Sequence, residues 1–409
     1  MGARKRILLL AEGATMAHFV RPVALADSLA AYQDEYDIHL YAPSRFAPDL
    51  AGKFYSTGEL KSAPGENFLE NIARGKPLFS PDVLRAYVQE DCQLIRRIRP
   101  DLVVGDMRLS LPISARLEKV SSAVIMNAYW SPYEKRRSVI PELPLTRLIP
   151  PRWLGLLYRA TEPLAGAMHV AQMNRVRKEF GVPPLPLDPR KMFTDGDYVL
   201  YPDVREFVPT NGAPPNHHYV GICNWAPSTP KPEWWERMCA DPNPKVFISL
   251  GSSGPIRVLP ELLAALAQLP VSVVLSTSGR PVPPVETNIY TAHLLPFVET
   301  AAQAAVVVSH GGSGGLYPAM AAGTPMLAIP SNADQHLSAA FLEENGAGLG
   351  VRVEEVTPAR LHAALLKILS EASFTKAAES WATIFQQDAA RNRFHEFLKF
   401  TFQPERGPG

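Results

Sequence analysis

Cysteine is scarce in this chain: Cys92, Cys223 and Cys239 are the only three in 409 residues, and no CxxC spacing joins them. An odd, scattered set argues against a disulfide framework or a zinc site and fits a reducing cytoplasm. An excess of charge is missing too. Lys and Arg total 41 against 40 for Asp and Glu, so no overall field draws the protein to nucleic acid or to an anionic membrane. Long apolar runs are also lacking. Arg4, Lys5 and Arg6 precede one, but Ile7–Ala11 stops at Glu12, too short for a signal-peptide core or a membrane span. No internal repeat or low-complexity tract is visible. These absences predict a cytoplasmic protein that recognises its partners locally, with peripheral membrane contact left open.

Proline, by contrast, is abundant, at 40 residues, where the usual share of about 5% would give half as many. Clusters fall at Pro141–Pro151, Pro183–Pro189, Pro209–Pro215 and Pro227–Pro232. Each proline fixes φ and removes a backbone donor, which favours extended connections over sheet interior. The length exceeds one ordinary core, and the last cluster marks a boundary. It divides the chain into an N-terminal domain over 1–225, a linker over 226–243 and a C-terminal domain from 244.

Both halves alternate strand and helix. Arg6–Ala11 reads as a strand buried on both faces, followed by a loop over Glu12–His18 and a helix with Pro22 in its first turn. Ile38–Tyr41, Asp101–Asp106 and Ala123–Asn127 continue the pattern. Beyond the boundary come strands at Lys245–Leu250, Val271–Ser276, Ala305–Ser309 and Met326–Ile329, and a helix through Glu261–Gln268. Thr357-Pro358 starts another helix, and a last one covers much of Phe374–Phe402. The fold class is therefore α/β: two doubly wound, Rossmann-like domains facing a cleft, with ligands expected at the carboxyl ends of the strands.

Chemistry concentrates in the loops. Ser309-His310-Gly311-Gly312-Ser313-Gly314-Gly315 lies between a strand and a helix, where glycines admit close approach and amides attract phosphate. A tight strand-to-helix turn is the plain alternative. Gly251-Ser252-Ser253-Gly254 occupies the equivalent place after its own strand, and two such loops in one domain point to a diphosphate cradle. Asp334 and Gln335 follow Met326–Ile329. They are placed to bond vicinal sugar hydroxyls, or Asp334 simply caps a helix.

The ordered frame of Leu295-Pro296, His310, Gly312, Gly323-Thr324-Pro325, Pro330, Asp334 and Gln335 resembles the donor-binding signature of family-1 glycosyltransferases. This is the UDP-glycosyltransferase superfamily with the GT-B fold, in its bacterial branch. The resemblance implies that His310 and the amides of Gly311–Gly315 hold phosphate with Ser252 and Ser253, while Asp334 and Gln335 hold the transferred sugar. It also implies a C-terminal helix, 386–409, crossing back to the N-terminal domain. Two positions depart from the family. Pro318 stands where many members carry a ribose-binding Glu, and Leu294 where plant members stack a Trp on the base. Base contacts then fall to the Leu294-Leu295 segment.

A base beside the acceptor hydroxyl must come from the first half. His18 follows the first strand, where the family has a histidine, and an imidazole suits the task. Asp106 ends its strand on the same sheet edge, where the family carries a partner aspartate, whereas Asp101 lies at the opposite edge. A carboxylate there would orient the ring and stabilise its protonated form. In isolation, His18 reads as a structural residue and Asp106 as a cap. Tyr129, Trp130 and Tyr133 wall an acceptor pocket or belong to the core. Ile149–Met173 is a pocket lid or an interfacial patch. His217-His218, in a proline-rich connection, receives no function.

The resulting expectation is an inverting, metal-independent glycosyltransferase with no cofactor beyond its co-substrate. It moves a sugar from a UDP- or dTDP-sugar to a small apolar or aromatic acceptor. Rivals are a nucleotide-sugar epimerase of the same architecture and a non-catalytic nucleotide-sugar-binding protein. Acceptor identity and oligomeric state are not legible.

Overall fold

The structure is a computed structural model that describes residues 3–65, 68, 70–71, 76–135, 139–147, 149, 151–226, 229–251, 254–281, 289–389 and 392–402. Strand β1 (Lys5–Ala11) is the seed of the first sheet, and Ile7 through Ala11 are all fully buried. Ile7 and Leu9 pack with Phe19 and Val23 on one face, and Leu8 and Leu10 with Ile95, Ile98 and Leu111 on the other. Cover on both faces is what a parallel strand needs.

Around it stand β2 (Tyr36–Ala42), β3 (Ser56–Glu59), β4 (Leu102–Asp106), β5 (Ser121–Ile125), β6 (Tyr198–Tyr201) and β7 (His217–Tyr219). Their order is β3-β2-β1-β4-β5-β6-β7, parallel throughout. The second sheet holds β8 (Lys245–Ser249), β9 (Ser272–Ser276), β10 (Ile289–Ala292), β11 (Val306–Ser309), β12 (Met326–Ala328) and β13 (Gly348–Gly350). It runs β10-β9-β8-β11-β12-β13, again parallel. Both are doubly wound Rossmann-like sheets. In each the strand order reverses once, between β1 and β4 and between β8 and β11. Crevices beyond the carboxyl ends of strands at such a reversal are where open α/β sheets bind ligands.

Two compact units result. One takes Met1–Arg136, Tyr158–Trp225 and Ala389–Gly409, the other Arg137–Leu157 and Ala226–Asp388. The segment Arg137–Leu157 thus departs from the contiguous first half read from sequence. Polar contacts tie it to the second unit: Glu142 N donates to Ser331 O at 2.7 Å, Glu142 pairs with Arg257 at 2.5 Å, and Arg352 donates to Ile140 O at 2.9 Å. The single terminal helix expected over Phe374–Phe402 is two, Ala372–Ala389 and Arg393–Phe402. Asn392 caps the second, its Oδ1 accepting from His395 N at 3.0 Å. Phe394, Phe397 and Leu398 of that helix lie in the same core as Ile7 and Leu9. No helix among the described residues is long and apolar enough to cross a membrane.

Candidate active site

At the first reversal, Ala11 of β1 is in register with Asp106 of β4. The chain leaving β1 becomes helical sooner than the sequence suggests. Thr15 is an extended N-cap and the helix spans Met16–Asp27, which puts His18 in its first turn and Pro22 in its interior rather than its first turn. Proline has no N–H, so the bond that residue 22 would give to the His18 carbonyl is missing. His18 Nδ1 lies 2.8 Å from Oδ1 of the buried Asp106. This contact leaves Nε2, the other ring nitrogen, free of Asp106. The His18 and Phe68 rings are nearly perpendicular, with centroids 6.1 Å apart.

Arg21, one turn beyond His18, shares this carboxylate: Nη1 is 3.5 Å from Asp106 Oδ2, and Nη2 donates to Asn127 Oδ1. Asn127 Nδ2 and Ala128 N donate in turn to Asp203 at 2.9 and 2.7 Å. Asp106 is therefore held from two sides. The i, i+3 spacing of His18 and Arg21, which sets both on one helix face, was the available sequence signal for this network. Immediately past Asp106, Met107 adopts a left-handed φ of 55° and turns the chain. Arg108 then dives into a buried cluster, contacting Glu12 at 3.1 Å, Asp91 at 2.9 Å and Glu90 at 2.8 Å. The loops after β1 and β4 are thus tied by a buried ion pair whose disruption would strand charge in the interior.

At the second reversal, Ser249 of β8 is in register with Ser309 of β11. His310 follows directly, and three glycines make room for its side chain. A Cβ on Gly251 would fall 3.0 Å from His310 Cε1, on Gly254 3.1 Å from its Cβ, and on Gly312 2.9 Å from Nε2. Gly251 also has φ of +59° and Gly311 of +79°, which side chains resist. The buried His310 Nδ1 has no hydrogen-bond partner among the described residues. Burial lowers the pKa of His310 to about 4, with Asp334 opposing the shift and Arg280 adding to it. Gly312 caps the helix Ser313–Ala321, whose first amides have no intrahelical acceptor. Two of the expected phosphate-binding amides are already engaged, Gly311 N with Ser309 Oγ and Gly315 N with Gly312 O, both at 3.0 Å. Ser252 and Ser253 lie outside the described residues.

Asp334 is not the helix cap. Asn332 caps the helix Ala333–Glu344 through a capping box, Gln335 N donating to Asn332 Oδ1 at 3.0 Å. Gln335 Oε1 in return accepts from Ser331 N and Ser331 Oγ, both at 2.9 Å, so only its amide nitrogen is left for a ligand. Leu294 is exposed and Leu295 buried. Of the aromatic candidates, Tyr129 is buried, Trp130 meets Phe193 edge-on at 5.7 Å, and Tyr133 packs on His217 at 5.1 Å. His217 and His218 lie in the edge strand β7, not in a connection. No group of three His, Cys, Asp or Glu among the described residues is arranged to hold a metal ion. Arg280, unremarked in the sequence, lies beside His310 and donates to the carbonyls of Gly251 and Gly254.

Two parallel sheets, each gathering polar side chains or glycine loops at its reversal, define the GT-B fold. The solved structure of the spinosyn rhamnosyltransferase SpnG matches it with a TM-score of 0.67, covering 96% of this chain and 100% of that chain at 18% identity. Residues 260–392 match the family model "Erythromycin biosynthesis protein CIII-like, C-terminal domain". A PGL/p-HBAD biosynthesis glycosyltransferase of Mycobacterium tuberculosis (strain ATCC 25177 / H37Ra) is 41% identical over 388 residues, 95% of this chain and 90% of the relative. A PGL/p-HBAD biosynthesis rhamnosyltransferase of Mycobacterium bovis (strain BCG / Pasteur 1173P2) is 38% identical over 406 residues, 99% and 90% respectively. The chain belongs to this family of glycosyltransferases and is a glycosyltransferase.

Proposed function

We propose that the protein moves a sugar from a dTDP- or UDP-sugar to a hydroxyl of a small apolar or aromatic acceptor, inverting the anomeric carbon and using no metal ion. The observation that carries this reading is the 2.8 Å contact of His18 Nδ1 with Asp106 at the reversal of the first sheet. Asp106 fixes the tautomer and stabilises the imidazolium that forms, and Nε2 takes the acceptor proton. The acceptor oxygen bonds to the anomeric carbon as that proton leaves. The bond from the anomeric carbon to the β-phosphate oxygen breaks, and its electron pair stays on the diphosphate. A single displacement from the opposite face inverts the anomer.

The donor falls to the loops around His310. A neutral imidazole and first-turn helix amides are suited to phosphate oxygens, and the carboxylate of Asp334 and the amide nitrogen of Gln335 to sugar hydroxyls. The name of the rhamnosyltransferase relative favours a rhamnose-type hexose. SpnG has been solved with thymidine diphosphate, in keeping with a dTDP donor. The test is transfer from dTDP- and UDP-sugars to a panel of phenols and alcohols in excess EDTA, with the product anomer read by NMR. The opposite anomer, formed at an unchanged rate, is expected. A retained anomer, or a collapse of turnover restored by Mg²⁺ or Mn²⁺, would contradict the reading.

A further inference from the structure

The donor loops need a positive charge that His310 does not supply. With its pKa pushed down to about 4 by burial, the imidazole is uncharged at neutral pH. A nucleoside diphosphate leaving group, however, gains one unit of negative charge as the anomeric bond breaks. Preorganised cations at that point favour the transition state over the ground state.

Arg280 is placed to be that cation. It follows β9, the neighbour of β8, after a turn built from two left-handed residues, Ser278 with φ of 51° and Gly279 with φ of 76°. Ser278 N donates to His293 O at 2.8 Å and Arg280 N to Thr277 O at 3.1 Å, fixing that turn. The guanidinium then reaches the loop after β8. Nη1 donates to Gly254 O at 2.8 Å and Nη2 to Gly251 O, two glycines that pack on His310. Nε is buried and has no hydrogen-bond partner among the described residues. No carboxylate among them pairs with Arg280 either, and burial lowers its pKa, the mark of a cation with no anion beside it. A half-buried cation without a counter-charge carries part of that desolvation cost. Nothing in the fold of the loop requires one, because a neutral donor would hold the two carbonyls as well.

We propose that the guanidinium of Arg280 binds the diphosphate of the donor and stabilises it as it departs. This rests on the donor reading of the loops around His310. Arg280 thereby has two tasks: two N–H groups hold the glycine loop in shape, and its remaining donors and charge face the phosphates. Arginine suits this double use because its planar fork carries five donors and its charge persists at all relevant pH.

Calorimetric titration of the full chain with dTDP, dTMP and thymidine, with UDP, UMP and uridine in parallel, tests the assignment on wild type, Arg280→Gln and Arg280→Lys. Arg280→Gln is expected to weaken diphosphate binding by about tenfold to a hundredfold, the value of a charged hydrogen bond. The nucleoside should be bound within about twofold of wild type, since a charge effect must grow with the number of phosphates. Arg280→Lys should recover part of the loss. The proposal is overturned if Arg280→Gln binds the diphosphate like wild type. It is equally overturned if nucleoside and diphosphate weaken in the same proportion, since that is the signature of a purely structural role. Wild type that binds no nucleoside diphosphate would instead sink the donor reading itself.

Discussion

Among single residues, three histidines partly or wholly withdrawn from solvent have the clearest physical consequences. Burial lowers His217 to about 4, His310 to about 4 and His336 to about 3, with neighbouring cations adding to each shift. An unfolded chain binds these protons near the ordinary value of about 6.5. Between that value and the folded ones the unfolded state therefore holds more protons, and their contribution to stability is full above about pH 6.5 and lost as pH falls toward 4. Urea unfolding at pH 7 and pH 4.5 should show this loss, and His336→Gln, which cannot take up the proton, should lose less than wild type over the same interval. An equal loss in both proteins would show that His336 does not contribute. The same burial explains what the sequence could not reveal about His310. The motif around it is plain, but its neutrality comes from burial, and the close packing of Gly251, Gly254 and Gly312 on this side chain is a tertiary feature. Arg280 was illegible for a related reason, since only the left-handed turn at Ser278-Gly279 carries it back to the loop.

At the level of single elements, helix starts account for most of the differences from the sequence reading. Thr15 caps its helix without a side-chain bond, and His18 lies in the first turn of that helix rather than in the loop expected over Glu12–His18. Asn332, not Asp334, supplies the cap of its helix, and the reciprocal bond from Gln335 became visible only with the capping box formed. The helix Ser313–Ala321 contains Pro318 in its interior, where proline usually destabilises by about 3 kcal/mol. If this position faces the ribose, as the family resemblance implies, proline offers no acceptor to a 2′-hydroxyl. A site without that partner discriminates little against a ligand that lacks the hydroxyl. Competition titration should then find dTDP bound as well as UDP, within about tenfold (1.4 kcal/mol), and Pro318→Glu should tilt the balance toward UDP. A wild-type preference for UDP beyond tenfold would show that other residues read the ribose.

Over the whole molecule, the long apolar strands were the legible part. Runs such as Ile7–Ala11 and Val306–Val308 are buried on both faces, and such runs declare a parallel sheet without help from tertiary context. Short edge strands were not legible: β3 is Ser-Thr-Gly-Glu, β7 is His-His-Tyr and β13 is Gly-Leu-Gly, none with an apolar pattern of its own. They exist because a neighbouring strand offers its backbone edge, which is a tertiary effect. Arg137–Leu157 falls in the first half by sequence position, whereas its hydrogen bonds join it to the second unit. The two reversals of strand order carry the functional argument, because each collects residues far apart in sequence: His18 with Asp106, and Gly251 with His310.

The central claim is that His18 is the base. Its most direct test is the turnover of His18→Ala, measured beside the affinity of the same preparation for dTDP and UDP. The account predicts a fall in turnover of about 10²–10⁴-fold, typical of losing a general base, with nucleotide affinity within a few-fold of wild type. Turnover near the wild-type rate would contradict it.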